Sequence, residues 1–174
     1  DLPTGKERSF GTDEIIVSKT DTKGRLRYVN DVFCRVSLFQ QSELIGQPHS
    51  LIRHPDMPRC VFKLLWDTIE AGNEIFAYVK NMAKNGDHYW VLAHVTPSFD
   101  ANGAISGFHS NRRVADRAAL AQIEPLYRKL LAEEERRENK RDGMMAAYDM
   151  LTSVLKQQDI EYDRFIFSLV EQAA

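Results

Sequence analysis

IFAYVKNMAKNGDHYWVLAHVTPSFDANGAISGFHSNRRV, residues 75 to 114, is the stretch that decides the fold. It reads as three strands, Ile75 to Met82, His88 to Phe99 and Ile105 to Val114. Lys84-Asn85-Gly86-Asp87 links the first pair and Asp100-Ala101-Asn102-Gly103 the second. Each link carries Asn-Gly, which accepts the positive φ angles of tight hairpins, so the three strands form an antiparallel meander. Upstream, Ile15-Ile16-Val17-Ser18 and the alternating Leu26-Arg27-Tyr28-Val29 read as a further hairpin across Asp21-Thr22-Lys23-Gly24.

Helical signals fill the interval between the two strand groups. Asn30-Asp31 starts one helix, with Val32, Phe33 and Val36 at helical spacing, and Ser42 starts a short turn that Gly46 stops. The longest helix here runs from Met57 to about Ala71. Pro58 suits its first turn, Val61, Phe62, Leu64, Leu65, Trp66 and Ile69 supply its apolar face, and Gly72 ends it. Two strands, short helices and three more strands predict an α+β domain. One sheet face and the helices then enclose a cavity.

Beyond residue 115 the pattern becomes continuous helix. Leu120, Ile123, Tyr127 and Leu130 share a face, with Pro125 expected to kink the run or reset its start. The charged stretch Glu133 to Arg141 leads to Asp142-Gly143, which reads as a break and cap. Met144, Tyr148, Leu151, Leu155, Gln158, Tyr162, Phe165 and Leu169 then form a heptad seam, beside a second stripe of Val154, Ile166 and Val170. This face fits either a helix folding back on its own chain or a homodimer through the C-terminal helices. The expected division is a lead segment (1–12), a sensory domain (13–115) and a helical extension (116–174).

Bulk composition excludes several functions. A formal charge of -2 gives no basis for binding nucleic acid or an anionic membrane. No apolar run approaches the roughly 20 residues a membrane span needs, which points to a cytoplasmic protein. The chain opens on Asp1, as a fragment of a longer protein would. Cys34 and Cys60 lack the spacing of a disulfide framework or a zinc site and are expected reduced and partly buried. His88 and His94 alternate on one strand without ligand partners at metal spacing, so no metal is expected. Lys80, Lys84, Arg112 and Arg113 read as solvated strand edges. No nucleophile–base pair or phosphate loop is present, so the chain does not read as an enzyme.

Gly46-Gln47-Pro48-His49, Arg53-His54-Pro55-Asp56-Met57-Pro58 and Lys84-Asn85-Gly86-Asp87-His88-Tyr89-Trp90 together resemble the PAS domains of bacterial aerotaxis receptors. Gly107, Arg112-Arg113 and Ile123-Glu124-Pro125-Leu126-Tyr127 fit the same pattern, over roughly residues 13 to 131. The resemblance implies a PAS fold: a five-stranded antiparallel sheet in the order 2-1-5-4-3 with short helices on one face. It further implies a non-catalytic signal-transduction sensor that binds FAD and reports redox or oxygen status to a downstream signalling protein or domain. Carried over position by position, the flavin-binding candidates are Asn30, Arg53, His54, Asp56, Phe62, Trp66 and Asn81. One position departs: Ile75 stands where that family usually has Trp.

Elementary chemistry supplies a reason for each candidate. Asn81 offers an amide to the ring edge, and Phe62 and Trp66, four residues apart, share a helix face that could form an aromatic wall or ordinary core. Arg53 and His54 suit a pyrophosphate, and Asp56 suits a helix cap or the orientation of its neighbours. Asn30 could meet adenine or ribose, or cap a helix. Two alternatives stand beside FAD: a haem gas sensor with His49 or His54 on iron, and a cofactor-free interaction module.

Overall fold

The computed structural model describes residues 2–157, 164–166 and 169. Its elements are β1 (Ile16–Thr20), β2 (Leu26–Val29), α1 (Asp31–Ser37), α2 (Gln41–Leu44), α3 (Arg59–Glu70), β3 (Ile75–Met82), β4 (His88–Phe99), β5 (Ile105–Val114), α4 (Arg117–Glu135) and α5 (Lys140–Gln157). A 3-10 turn at His49–Ile52, not foreseen from the pattern, precedes α3. The strands form one antiparallel sheet in the order β2-β1-β5-β4-β3.

The three tight connections share one closure. In Asp21–Arg25, Ala83–Asp87 and Asp100–Ala104, the first residue's N–H donates to the fifth carbonyl at 2.9, 2.7 and 2.8 Å. The fourth N–H returns to the first carbonyl at 3.1, 2.9 and 3.0 Å. The fourth residue is Gly24, Gly86 or Gly103, at φ 80°, 93° and 80°, which only glycine adopts without strain. The Asp21 and Asp100 carboxylates each accept two further loop N–H groups. Hairpin register is therefore set by local chemistry.

β3 is an edge strand, and its free side is closed rather than solvated. The Tyr127 hydroxyl donates to the Tyr78 carbonyl at 2.7 Å. The His54 N–H donates to the Lys80 carbonyl at 3.2 Å, while the Lys80 N–H meets Met57 Sδ at 3.2 Å. Trp90 packs beside the Tyr127 ring, centroids 6.1 Å apart, so α4 is anchored on the sheet.

Two expectations about the C-terminal helices need correction. α4 runs through Pro125 without resetting, its buried face of Ala119, Leu120, Ile123, Tyr127 and Leu130 outweighing one lost hydrogen bond. The break falls at residues 136–139, not at Asp142-Gly143. Asn139 Oδ1 accepts the N–H groups of Arg141 and Asp142 at 2.9 and 3.2 Å and so starts α5 ahead of that pair. Gly143 lies inside the helix, where a Cβ would overlap the Glu134 backbone carbonyl. It is a close-crossing residue, not a stop.

α5 folds back on α4 and α3. Ala147 and Leu151 are fully buried, and Leu155, Phe165, Ile166 and Leu169 are buried with them. The seam is thus covered within one chain over the described residues; its members Gln158 and Tyr162, and Val170 of the second stripe, lie outside them. The lead segment is also fixed: the Thr4 and Arg8 N–H groups donate to the Gly86 and His88 carbonyls at 3.0 and 2.7 Å. One apolar cluster runs from Phe10 through the sheet to the C-terminal helices. No described helix is long and apolar enough to cross a membrane.

Candidate functional site

Strand alternation turns Val79 and Asn81 of β3, Ala93 and Val95 of β4, and Phe108, Ser110 and Arg112 of β5 toward one face. Phe62, Leu65, Trp66 and Ile69 of α3 lie opposite at helical spacing. Between them is a cavity of about 340 Å³, within the range of small-molecule sites. Trp66 and Phe108 meet edge to face across it, centroids 5.4 Å apart. Lys23, Gly24, Pro48 and Ser50 line its outer part, held together by Leu26 N–H to the Gln47 carbonyl at 2.8 Å and His49 N–H to the Gly24 carbonyl at 2.9 Å.

Gly24 is doubly constrained here: its φ is 80°, and a Cβ would come within 2.9 Å of the Trp66 indole. Gly24→Val is therefore expected to cost about 1–3 kcal/mol and to displace the indole from the cavity. Urea denaturation and Trp66 fluorescence in a Trp90→Phe background check both effects.

Arg112 corrects the reading of its charge as a solvated strand edge. β5 is central, between β1 and β4, and Arg112 is in phase with Phe108 and Ser110, so its side chain enters the cavity wall at 1% exposure. Its Nη2 donates to Ser18 Oγ, and its guanidinium lies 5.0 Å from the Phe33 ring centroid. Nε and Nη1 have no hydrogen-bond partner among the described residues. Burial pulls its pKa down to about 10. The alternation from Phe108 was the available signal for this residue. The other three basic side chains do meet solvent or an exposed acid: Lys80 pairs with Asp56 at 3.2 Å, Lys84 with Glu43 at 2.6 Å, and Arg113 is exposed.

Four of the seven carried-over candidates meet at this cavity: Arg53, Phe62, Trp66 and Asn81. The Arg53 guanidinium stacks 3.7 Å from the Phe62 ring centroid, with its Nε unpartnered. Asn81 is buried, joined to Arg53 by a backbone bridge, and its Nδ2 has no partner among the described residues. Ile75 is buried on the same strand face but does not line the cavity.

The other three lie off the cavity, for physical reasons. Asn30 is the N-cap of α1: its Oδ1 accepts from the Phe33 and Val17 N–H groups at 3.0 and 3.1 Å, and its Nδ2 donates to the Ile15 carbonyl at 2.9 Å. Asp56 is exposed and pairs with Lys80. His54 is buried on the β3 edge, where its Nδ1 accepts the Asp56 N–H at 3.0 Å. That bond requires a neutral ring, so the nearby Asp56 carboxylate is not an ion-pair partner. Burial, then the Lys80 ammonium, holds the His54 pKa down to about 4.

The sign of the resulting pH dependence follows. Between about pH 6.5 and 4 the unfolded chain takes a proton at His54 that the folded chain refuses, so stability falls with falling pH across that window. The expected loss from this residue is about 3 kcal/mol, and His54→Gln should remove that share of the dependence in urea melts run from pH 7 to 4.

His49, by contrast, does line the cavity. Its Nε2 lies 3.3 Å from Ser18 Oγ, and burial with the neighbouring Arg112 charge lowers its pKa to about 3. His94 pairs with Glu74 at 2.9 Å, and among the described residues no three metal-ligating side chains gather. Both cysteines are free; Cys60 is fully buried and Cys34 half-buried, and burial raises both thiol pKa values.

Comparison with known proteins agrees with this architecture. Residues 26–111 match the family model described as the PAS fold. The aerotaxis receptor of Escherichia coli (strain K12) is 41% identical over 129 residues, covering 74% of this chain and 25% of the receptor. The nitrogen fixation regulatory protein of Klebsiella pneumoniae is 24% identical over 99 residues, or 57% of this chain and 20% of that protein. The chain thus spans a quarter or less of these relatives' lengths. Among solved structures, the blue-light photoreceptor Aureochrome1 LOV in its light state superposes with a TM-score of 0.54 at 20% identity, covering 70% of this chain and 91% of that one. A PAS domain from Colwellia psychrerythraea gives 0.54 at 17% identity, covering 58% and 86%.

Proposed function

We propose, from the premise that this chain carries a PAS domain homologous to that of the bacterial aerotaxis receptor, that it is a non-catalytic cytoplasmic sensor. In this reading it holds FAD non-covalently and passes redox or oxygen status to its C-terminal helices. The observation that carries the cofactor is the donor set at the cavity. Among the described residues, the fully buried polar atoms of its lining side chains that lack a partner are Arg53 Nε, Asn81 Nδ2 and Arg112 Nε and Nη1, all N–H donors. A ligand edge rich in acceptors, between aromatic walls, is what such a set recognises, and isoalloxazine has that edge. About 340 Å³ suits the ring alone, so the rest of the dinucleotide would extend past the exposed Lys23, Pro48 and Ser50.

FAD supplies reversible electron uptake; the chain's own residues bind the ring and relay the change. Two connections lead from the cavity to α4. Asn81 shares β3 with Tyr78, whose carbonyl holds Tyr127, and α3, which carries Phe62 and Trp66, begins on the Glu134 carboxylate. A shift at either wall biases the seating of α4 and α5, which is a two-state element for a downstream signalling protein or domain. Within this proposal residues 13–115 hold the ligand and 116–174 relay its state. A homodimer through the C-terminal helices would require α5 to lift, because Leu151 and Leu155 are buried within one chain. The haem reading has weaker support: His54 lies off the cavity and His49 Nε2 faces Ser18.

Absorption of protein purified from riboflavin-supplied cells tests the reading. It predicts the two bands of oxidised flavin, bleached by dithionite. A Soret band, or a folded protein colourless even after incubation with FAD, would overturn it.

A further inference from the structure

We infer that Arg112 is the charge-recognition residue of the cavity, making the site bind the reduced, anionic flavin more tightly than the oxidised, neutral ring. The inference rests on the flavin reading above. A guanidinium has five N–H donors and a permanent charge, and burying it without a counter-charge is costly. At 1% exposure Arg112 has a neutral hydroxyl, Ser18, on Nη2 and nothing on Nε or Nη1. Among the described residues no Asp or Glu lines the cavity, and the titratable groups beside the guanidinium, His49 and Tyr89, are neutral.

Arg112 also sits where it cannot swing out. Its backbone is paired on both sides, with Ile16 of β1 and Ala93 of β4. Arg53, by comparison, stacks on Phe62 at the edge of the sheet. A fixed cation in a dry wall acts most strongly on charge that develops in front of it. Two-electron reduction by a hydride-class donor, or by dithionite in vitro, brings the ring two electrons. With one proton taken up, a negative charge remains on the ring; with two, none does. A buried cation favours the first outcome, so the second proton stays in solvent.

The test is the midpoint potential of FAD bound to the full chain, relative to free FAD, in wild type, Arg112→Gln and Arg112→Lys. The expected result is a wild-type potential above that of free FAD. Arg112→Gln should lose at least tenfold in the affinity ratio of reduced to oxidised flavin, ~30 mV for a two-electron couple, and Arg112→Lys should keep most of it. If Arg112→Gln fails to retain flavin, the wild-type and Arg112→Lys potentials still decide. Bound flavin whose potential does not exceed that of free FAD, or is unmoved by Arg112→Gln, overturns this inference alone. A folded wild type that takes up no flavin overturns the flavin reading and this inference together.

Discussion

Replacing Arg112 with methionine is expected to stabilise the ligand-free protein by about 1–4 kcal/mol while weakening its hold on flavin. The direction is unusual for a residue at 1% exposure, since buried side chains are ordinarily costly to change. Arg112 departs from that pattern because two of its nitrogens are unpartnered, so the fold bears a desolvation cost without the matching hydrogen bonds. Methionine is also long and unbranched and can follow the same path past Phe33. Ser18 keeps His49 Nε2 within reach at 3.3 Å. Urea denaturation of flavin-free wild type and variant gives the first number. The same melts with excess FAD give the second, because a ligand that binds only the folded state stabilises it by mass action. The variant should start higher and gain less. Destabilisation of the flavin-free variant would instead make Arg112 a structural anchor.

Glu134→Ala is expected to cost about 3–5 kcal/mol, the largest single loss, although the residue lies in a run of charges. α3 begins after Pro58 with no side-chain cap of its own. Its Arg59 and Cys60 N–H groups instead donate to Glu134 Oε1 and Oε2, both at 2.9 Å, and the carboxylate is 2% exposed. Truncation leaves two buried donors unpaired and removes an anion from a helix amino end. Glu134→Gln, which keeps one acceptor and loses the charge, should fall between. Since α3 supplies the aromatic wall, flavin affinity should drop along the same series. Urea melts and FAD titration on the three proteins check this; a stability loss with unchanged affinity would separate the cap from the cavity.

The strands and their turns were legible because hairpin chemistry is local. Alternation from Ile75 to Val114 and glycines at Gly24, Gly86 and Gly103 fix strands and register with no reference to distant residues. The sheet order came from family resemblance, since pairing β1 with β5 is a long-range event that no local pattern announces. Punctuation failed where packing overrode it. Gly143 and Pro125 both signal interruption, yet one allows a close helix crossing and the other is carried by a buried face.

The site was half legible. Asn81, Arg53, Phe62 and Trp66, carried over from a family pattern, line the cavity, and their residue types suit a ring-binding wall. Arg112 was passed over because charge on a strand is usually edge charge, and only the order of strands makes β5 central. Glu134 was hidden among its neighbours, since nothing in Glu133 to Arg141 marks which carboxylate turns inward. Asn30, His54 and Asp56 had plausible chemistry for FAD, but each is occupied with backbone or surface partners.

The most direct test of the central claim is a fluorescence-quenching titration of FAD with flavin-free wild type and with Ala93→Phe, circular dichroism confirming that both are folded. Ala93 lines the cavity on β4 at 3% exposure, so the larger ring fills the space assigned to isoalloxazine. Saturable one-to-one binding by wild type and its loss in Ala93→Phe is the predicted result. Equal binding by the two proteins would place the flavin elsewhere and contradict the account.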